Sequence, residues 1–331
     1  MKDFCIVGSG IAGSTIANLL SKQYSVEIFD KARGPGGRAS NRRYKKDLSF
    51  DHGLQYISPK SKEFTRFILD LEKKKILKKW KGNHLDFTFE KKGEVPKYIG
   101  LKGNNAITKY LIKNIKANFQ SIVTNIKFNN NCWEITIDNK EIINFKNLIL
   151  TCPYPQLMSL GSKYLPKQII KSKIKMIPNI TVMLAYKNYS KININSIKFN
   201  NDILAWAAYE NSKERFKSNE MLWTLQCTEK YSKKIINLYK KNKEVYTKEI
   251  TREFKNLTGF KHKDLIFKNI HGWRFAYHKK KSNYIYSWSK KFNLGVCGDW
   301  LIGSKAEDAW NSANLLFNKI KKTPPKLTDG V

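Results

Sequence analysis

Gly8, Gly10 and Gly13 recur as Gly-x-Gly-x-x-Gly in the stretch from Val7 to Gly13. That spacing suits the pyrophosphate of a dinucleotide. Gly8 allows a tight turn, Gly10 lets phosphate approach the backbone, and Gly13 lets a helix pack close to a strand. The free N–H groups at the start of that helix then face the phosphates. Asp30 ends the next apolar stretch about 20 residues on, where a carboxylate can take ribose hydroxyls. Lys31 follows it, and Gly36-Gly37-Arg38 comes next. Two glycines keep the backbone close to a ligand, and an arginine can grip a phosphate through two parallel hydrogen bonds. An ordinary basic turn is the competing reading of Arg38. Near the far end of the chain, Gly298-Asp299 precedes a helix rich in small residues. Asp299 could accept from ribityl hydroxyls, or it could cap a helix. The pair at both ends suits a bound flavin better than a nicotinamide alone. Trp273 and Arg274 are candidate pocket residues, one to stack on a planar ring and one to hold an anionic group. A core tryptophan and a structural ion pair are their alternative.

These residues need particular elements to hold them. Asp3–Val7 reads as a buried strand, Ile11–Leu20 as a helix and Ser25–Phe29 as a second strand, a βαβ opening. Ser61–Lys81 is helical in period, and Gly103 opens a further helix. Asp86–Tyr98 reads as a strand pair around Lys92-Gly93. A hairpin is expected around Asn129-Asn130-Asn131, then a short strand over Asn147–Thr151. Pro153 and Pro155 should stop both strand and helix. From there to about Phe267 longer strands alternate with lysine-rich helices. Phe292–Cys297 returns to the opening style. Ala306, Ala309, Ala313, Leu316 and Ile320 then fall at helical spacing.

The fold expected is α/β: a Rossmann-like FAD-binding domain with an inserted mixed-sheet substrate domain. The first would comprise 1–57, 98–155 and 268–322, the second 58–97 and 156–267, with 323–331 a disordered tail. A hydrophobic content of 41% with 13% aromatics suits a globular protein. No apolar run reaches the roughly 18 residues of a membrane span. The chain enters its first strand directly, so no secretory leader and a cytoplasmic location are expected. Five scattered cysteines without a CxxC pair read as reduced thiols. The histidines show no metal-ligand spacing, so no metal is expected. The net charge of +35 is mostly lysine spread along the chain, which reads as a solvated surface that could steer anionic small molecules. Nucleic acid is the less favoured partner. No second Gly-x-Gly-x-x-Gly occurs, so electrons should reach the flavin directly from a substrate beside it.

Several of these segments, taken together, resemble the renalase family, small flavoproteins of the amine-oxidase-like superfamily. They are Phe29-Asp30-Lys31 with Gly36-Gly37-Arg38, Asp51-His52-Gly53-Leu54-Gln55-Tyr56, Gly103, Leu150-Thr151-Cys152-Pro153, His271-Gly272-Trp273-Arg274 and Gly298-Asp299. The resemblance runs in order from Lys2 to about Lys321. It implies that Ala12, Arg38, Gln55, Tyr56, Asp30 and Asp299 touch FAD, and that the backbone of Val123 contacts adenine; since no cysteine is placed for attachment to the ring, the FAD is expected to be noncovalent. It also implies an activity: oxidation of 2- or 6-dihydro isomers of NAD(P) to NAD(P)+, with O2 as acceptor and hydrogen peroxide as product. Leu54 stands where the family usually has alanine, and 302–308 is only loosely like the family's stretch. Both departures fall where the flavin ring should lie. Two other readings remain: a flavin amine oxidase acting on a small amine, and a non-catalytic or nucleic-acid-associated flavoprotein.

Overall fold

The computed structural model describes residues 1–90, 95–187, 192–260, 264–279 and 284–322. Its first strand, Lys2–Val7, lies parallel to Val26–Asp30 on one side and to Glu141–Leu150 on the other. Lys116–Phe119 and Leu294–Val296 extend the parallel set outward, and Ser287–Ser289 closes one edge antiparallel. Strand residues alternate between two cores, as a period of two requires. Phe4, Ile6, Ile28 and Ile149 face the helices Ile11–Leu20 and Ala306–Lys322. Cys5, Phe29, Leu148 and Leu150 face a second core with Trp133, Phe145 and Leu157. Cover on both faces explains why these strands are nearly continuous apolar runs.

The hairpin Val123–Asn129/Cys132–Ile137 joins this sheet through Glu141–Leu150. Its turn is Asn130-Asn131, with φ of 46° and 59°. Asparagine tolerates the left-handed backbone that a two-residue hairpin turn needs. Residues 147–150 are therefore the end of a ten-residue strand rather than a short strand of their own.

Leu265–Tyr277, Ile177–Tyr186, Met221–Cys227, Leu204–Tyr209, Ser196–Lys198 and His84–Leu85 form a second, six-stranded sheet, antiparallel except for its last pair. Trp223, Tyr186, Leu184 and Phe254 fill its core. Packing divides the chain differently from the sequence expectation in three places. The helix Lys62–Lys73 buries Phe64, Ile68 and Leu71 with the first sheet's helices. Residues 154–174 place Leu157, Leu165 and Ile169 in that sheet's other core. Residues 268–277, expected with the nucleotide-binding strands, hydrogen-bond instead to Ile177–Tyr186. In each case a partner distant in sequence decides, apolar in the first two and a paired strand in the third, which local periodicity does not encode.

The two prolines behave differently from expectation. Pro153 precedes the helix Tyr154–Gly161 and Pro155 sits in its first turn. A proline there loses no intrahelical bond, so it starts a helix rather than ending one. The expected turn at Lys92-Gly93 and the tail 323–331 lie outside the described residues. Among the described residues no helix is long and apolar enough to cross a membrane.

Candidate functional site

The glycine turn is built as its spacing requires. Gly8 has φ +103°, and a Cβ there would lie 2.6 Å from Thr151 Oγ1. A Cβ on Gly13 would lie 2.0 Å from the carbonyl oxygen of Gly8, so only glycine lets the helix sit this close to the strand. Gly37 has φ +53° and a Cβ on it would meet Gly10 Cα at 3.1 Å. The two glycine motifs thus face each other across bare backbone. Asp30 fastens the arrangement. Its Oδ2 accepts from the backbone N and the hydroxyl of Ser9, each at 2.6 Å, and its Oδ1 accepts from Ala32 N at 2.8 Å.

These residues open onto a cavity of about 2100 Å³. A drug-sized ligand occupies roughly 300–1,000 Å³, so there is space for a dinucleotide and a substrate together. Gly8, Gly10, Ala12, Gly13, Asp30, Lys31, Gly37, Arg38, Val123, Trp273, Arg274 and Asp299 all line it. Gln55 and Tyr56 do not. Gln55 is buried, with its amide nitrogen donating to the carbonyl oxygens of Asp51 and Gly53. Tyr56 packs between Trp80 and Trp206. The Asp51–Tyr56 segment shapes the wall through its backbone. Leu54 N donates to Arg38 O at 2.8 Å, and Gln226 Nε2 donates to Gly53 O at 2.7 Å.

Arg38 and Asp299, 261 residues apart, meet in a two-pronged ion pair. Arg38 Nη1 donates to Asp299 Oδ2 at 2.7 Å and to Ala276 O at 2.9 Å, while Nη2 donates to Oδ1. The helix-cap alternative for Asp299 is not what forms. The following helix starts only at Ala306, and Asp308 Oδ2 accepts from Lys305 N at its start.

Trp273 and Arg274 part company. Side chains alternate along a strand, and here Trp273 is half-buried while Arg274 is exposed, with Nη1 donating to Asn237 Oδ1 at 2.9 Å. Trp273 belongs to an aromatic cluster that the sequence reading missed. Its ring lies 5.0 Å from His52 and 4.5 Å from His271, and its indole N–H donates to His52 O at 2.8 Å. Burial, then His271, pushes the His52 pKa down to about 3. Burial, then Arg42 and Lys240, pushes that of His271 down to about 4. Both imidazoles are therefore neutral near pH 7. The signal lay in the sequence as His52-Gly53 and His271-Gly272-Trp273, but nothing local showed that the two segments meet.

Behind His52 lies a buried group of charges. Lys213 Nζ sits 2.8 Å from Asp51 Oδ2 and 2.9 Å from Glu210 Oε2, with all three side chains fully buried. Arg215 also pairs with Asp51 and donates to Gly100 O and Asn104 Oδ1. Lys213 and Arg215 hold the Asp51 carboxyl well below its usual range, although burial opposes them. The group ties the Asp51 segment to residues flanking the second sheet's strands, and so fixes the wall that bears His52.

Residues 6–71 match the NAD(P)-binding Rossmann-like domain family. This segment contains the glycine turn, Asp30 and Arg38. Mouse (Mus musculus) renalase is 30% identical over 171 residues, a match covering 48% of this chain and 49% of that protein. The chain thus matches about half the length of that relative. The fold extends further. A structure of wild-type putrescine oxidase bound to putrescine superposes with a TM-score of 0.70 at 11% identity, covering 97% of this chain and 98% of that one. An oxidoreductase from Methanosarcina mazei gives 0.65 at 14% identity, covering 96% and 100%.

Proposed function

We propose that the protein is an FAD-dependent oxidoreductase that oxidises an anionic dihydronicotinamide, a 2- or 6-dihydro form of NAD(P), with O2 as the final acceptor. One observation carries this reading. A single cavity joins the glycine turn to the His52–His271–Trp273 wall, and its lining holds nine lysines and arginines against two carboxylates, Asp30 and Asp299. A cavity of that charge attracts an anion and repels a protonated amine. The dihydronicotinamide itself comes from the renalase likeness, in sequence motifs and in the half-length match.

The residues present fit FAD. Gly8, Gly10, Gly13 and Gly37 leave bare backbone for a pyrophosphate, and Asp30 stands at the second strand's end for the ribose. Arg38 and Asp299 would hold the remaining polar groups of the cofactor. When bound, the flavin supplies a ring that accepts a hydride. The chain's part is to position and to exclude water. Trp273, fixed by its hydrogen bond to His52 O, offers a rigid planar edge, and two neutral imidazoles beside it add no charge. Cys152 lies on the cavity wall, but burial pushes its thiol up to about 12. It stays protonated near neutrality, which favours a noncovalent cofactor.

The test is anaerobic. The yellow protein is mixed with 2- or 6-dihydro-NAD(P), with NADH, and with small amines such as putrescine. Bleaching should be much the fastest with the dihydro isomers. Rapid bleaching by an amine, with no response to the isomers, would replace this reading with amine oxidation. A protein that cannot be loaded with FAD would end both.

A further inference from the structure

Arg42, Lys240 and His271 come from three separate stretches and all line the cavity, where the charges of Arg42 and Lys240 act on the His271 ring. Arg42 lies on the short strand Asn41–Arg43, Lys240 in the turn after the helix Glu229–Ile235, and His271 on Leu265–Tyr277. Gly272 makes a close approach possible. A Cβ there would lie 2.6 Å from Tyr239 Cε1 and 2.8 Å from Ile236 Cδ1. The glycine lets buried Tyr239 lie against the strand, and Lys240 is the next residue in the chain.

The cations here lack counter-charges. Among the described residues, neither Arg42 nor Lys240 has a carboxylate partner. Asp51, the acid that acts on His52, is taken up by Lys213 and Arg215. His52, 7% exposed, lines the same cavity with its ring 4.9 Å from that of His271.

We propose that Arg42, Lys240 and His271 form a subsite for a phosphate group of the substrate, so that the hydride donor is recognised as a nucleotide. The assignment rests on the reading of the cavity given above. Arginine grips phosphate through two parallel hydrogen bonds, and lysine supplies a compact charge. A phosphate placed between them would also reverse the field at His271, favouring the imidazolium that donates to it.

The test uses the FAD-loaded protein and inorganic pyrophosphate. The His271 ring signal is titrated by NMR with and without the ion. Pyrophosphate should raise the His271 midpoint by about one pH unit or more, and Lys240→Met with Arg42→Met should abolish the rise. An unmoved His271 titration would overturn the subsite even if the flavin is reduced normally. Kinetics give a second arm. Lys240→Met should raise KM for a dihydronicotinamide mononucleotide about tenfold, the loss of one charge-assisted hydrogen bond. KM for the phosphate-free riboside and kcat for both should hold, and Lys240→Arg should recover most of the loss. Equal KM changes for nucleotide and riboside would overturn the subsite. If no dihydronicotinamide reduces the flavin, the wider reading falls and the His271 titration alone decides the subsite.

Discussion

Replacing Lys213 by methionine tests the buried charge group behind the cavity wall. Methionine keeps most of the chain's apolar volume and removes only the ammonium. Asp51 would still be held by Arg215, Asn41 Nδ2 and the backbone N of Asn104. Glu210 would fare worse. Its Oε1 keeps Thr224 Oγ1 at 2.6 Å, but its Oε2 loses Lys213 and finds Arg215 only at 3.9 Å. Burial already raises the Glu210 carboxyl and the Lys213 ammonium draws it back down, so the variant should leave it protonated. That escape limits the cost. Taking up a proton at pH 7, from the ordinary value of 4.5, costs about 3.4 kcal/mol at about 1.36 kcal/mol per pH unit. The expected loss is thus about 3 kcal/mol, at the lower end of what breaking a buried pair costs. The pH dependence carries a sign. In the variant the folded state binds one proton more than the unfolded chain above pH 4.5. Its deficit relative to wild type should therefore shrink by about 1.4 kcal/mol per unit as the pH falls from 7 towards 4.5. Urea unfolding at pH 7, 6 and 5 measures this. Adding Glu210→Gln should recover about 2 kcal/mol at pH 7, because an amide is neutral without taking up a proton. A loss below about 1 kcal/mol at pH 7, or a loss that does not change between pH 7 and 5, would refute the reasoning.

Four further outcomes follow from the geometry. His52 and His271 are neutral when folded, with pKa pushed down to about 3 and about 4 from 6.5. The unfolded chain binds their protons first, so stability should be full above pH 6.5 and fall steadily from there towards pH 4, by on the order of 3 kcal/mol per histidine; His52→Asn should flatten that decline in urea titrations, and an unchanged slope would count against a buried neutral imidazole. Gly272→Ala should displace Tyr239 and cost about 1–3 kcal/mol by overpacking, with a raised KM for the nucleotide substrate; an unaltered melt and KM would show that the turn gives way freely. Asp30→Ala should weaken FAD retention far more than Glu214→Ala, because Asp30 fastens the glycine turn while Glu214 is exposed; equal flavin occupancy after dialysis would reduce Asp30 to a strand-end acid. Asp299→Ala should leave Arg38 without its carboxylate and lower FAD affinity or the rate of flavin reduction; a shifted melting temperature with both cofactor parameters unchanged would make the pair purely structural.

The parts of the site that were legible in the sequence are those governed by local backbone geometry. Gly8, Gly10 and Gly13 must be glycine for reasons that reach only as far as the adjoining strand and helix, and Asp30 is placed by the length of one βαβ turn. The helical spacing of Ala306, Ala309, Ala313 and Leu316 likewise predicted the buried face of the last helix. Gln55 and Tyr56 could be named but not aimed, because the backbone of 51–56 folds against Arg38 and turns their side chains away from the cavity. Residues 268–277 were assigned to the wrong sheet, since an alternating strand reads the same whichever partner receives its hydrogen bonds. The pairings of Arg38 with Asp299, His52 with His271 and Lys213 with Asp51 each join positions more than 160 residues apart. Charge and ring type mark such residues as able to interact. Only tertiary packing, which brings them together and buries them, decides with which.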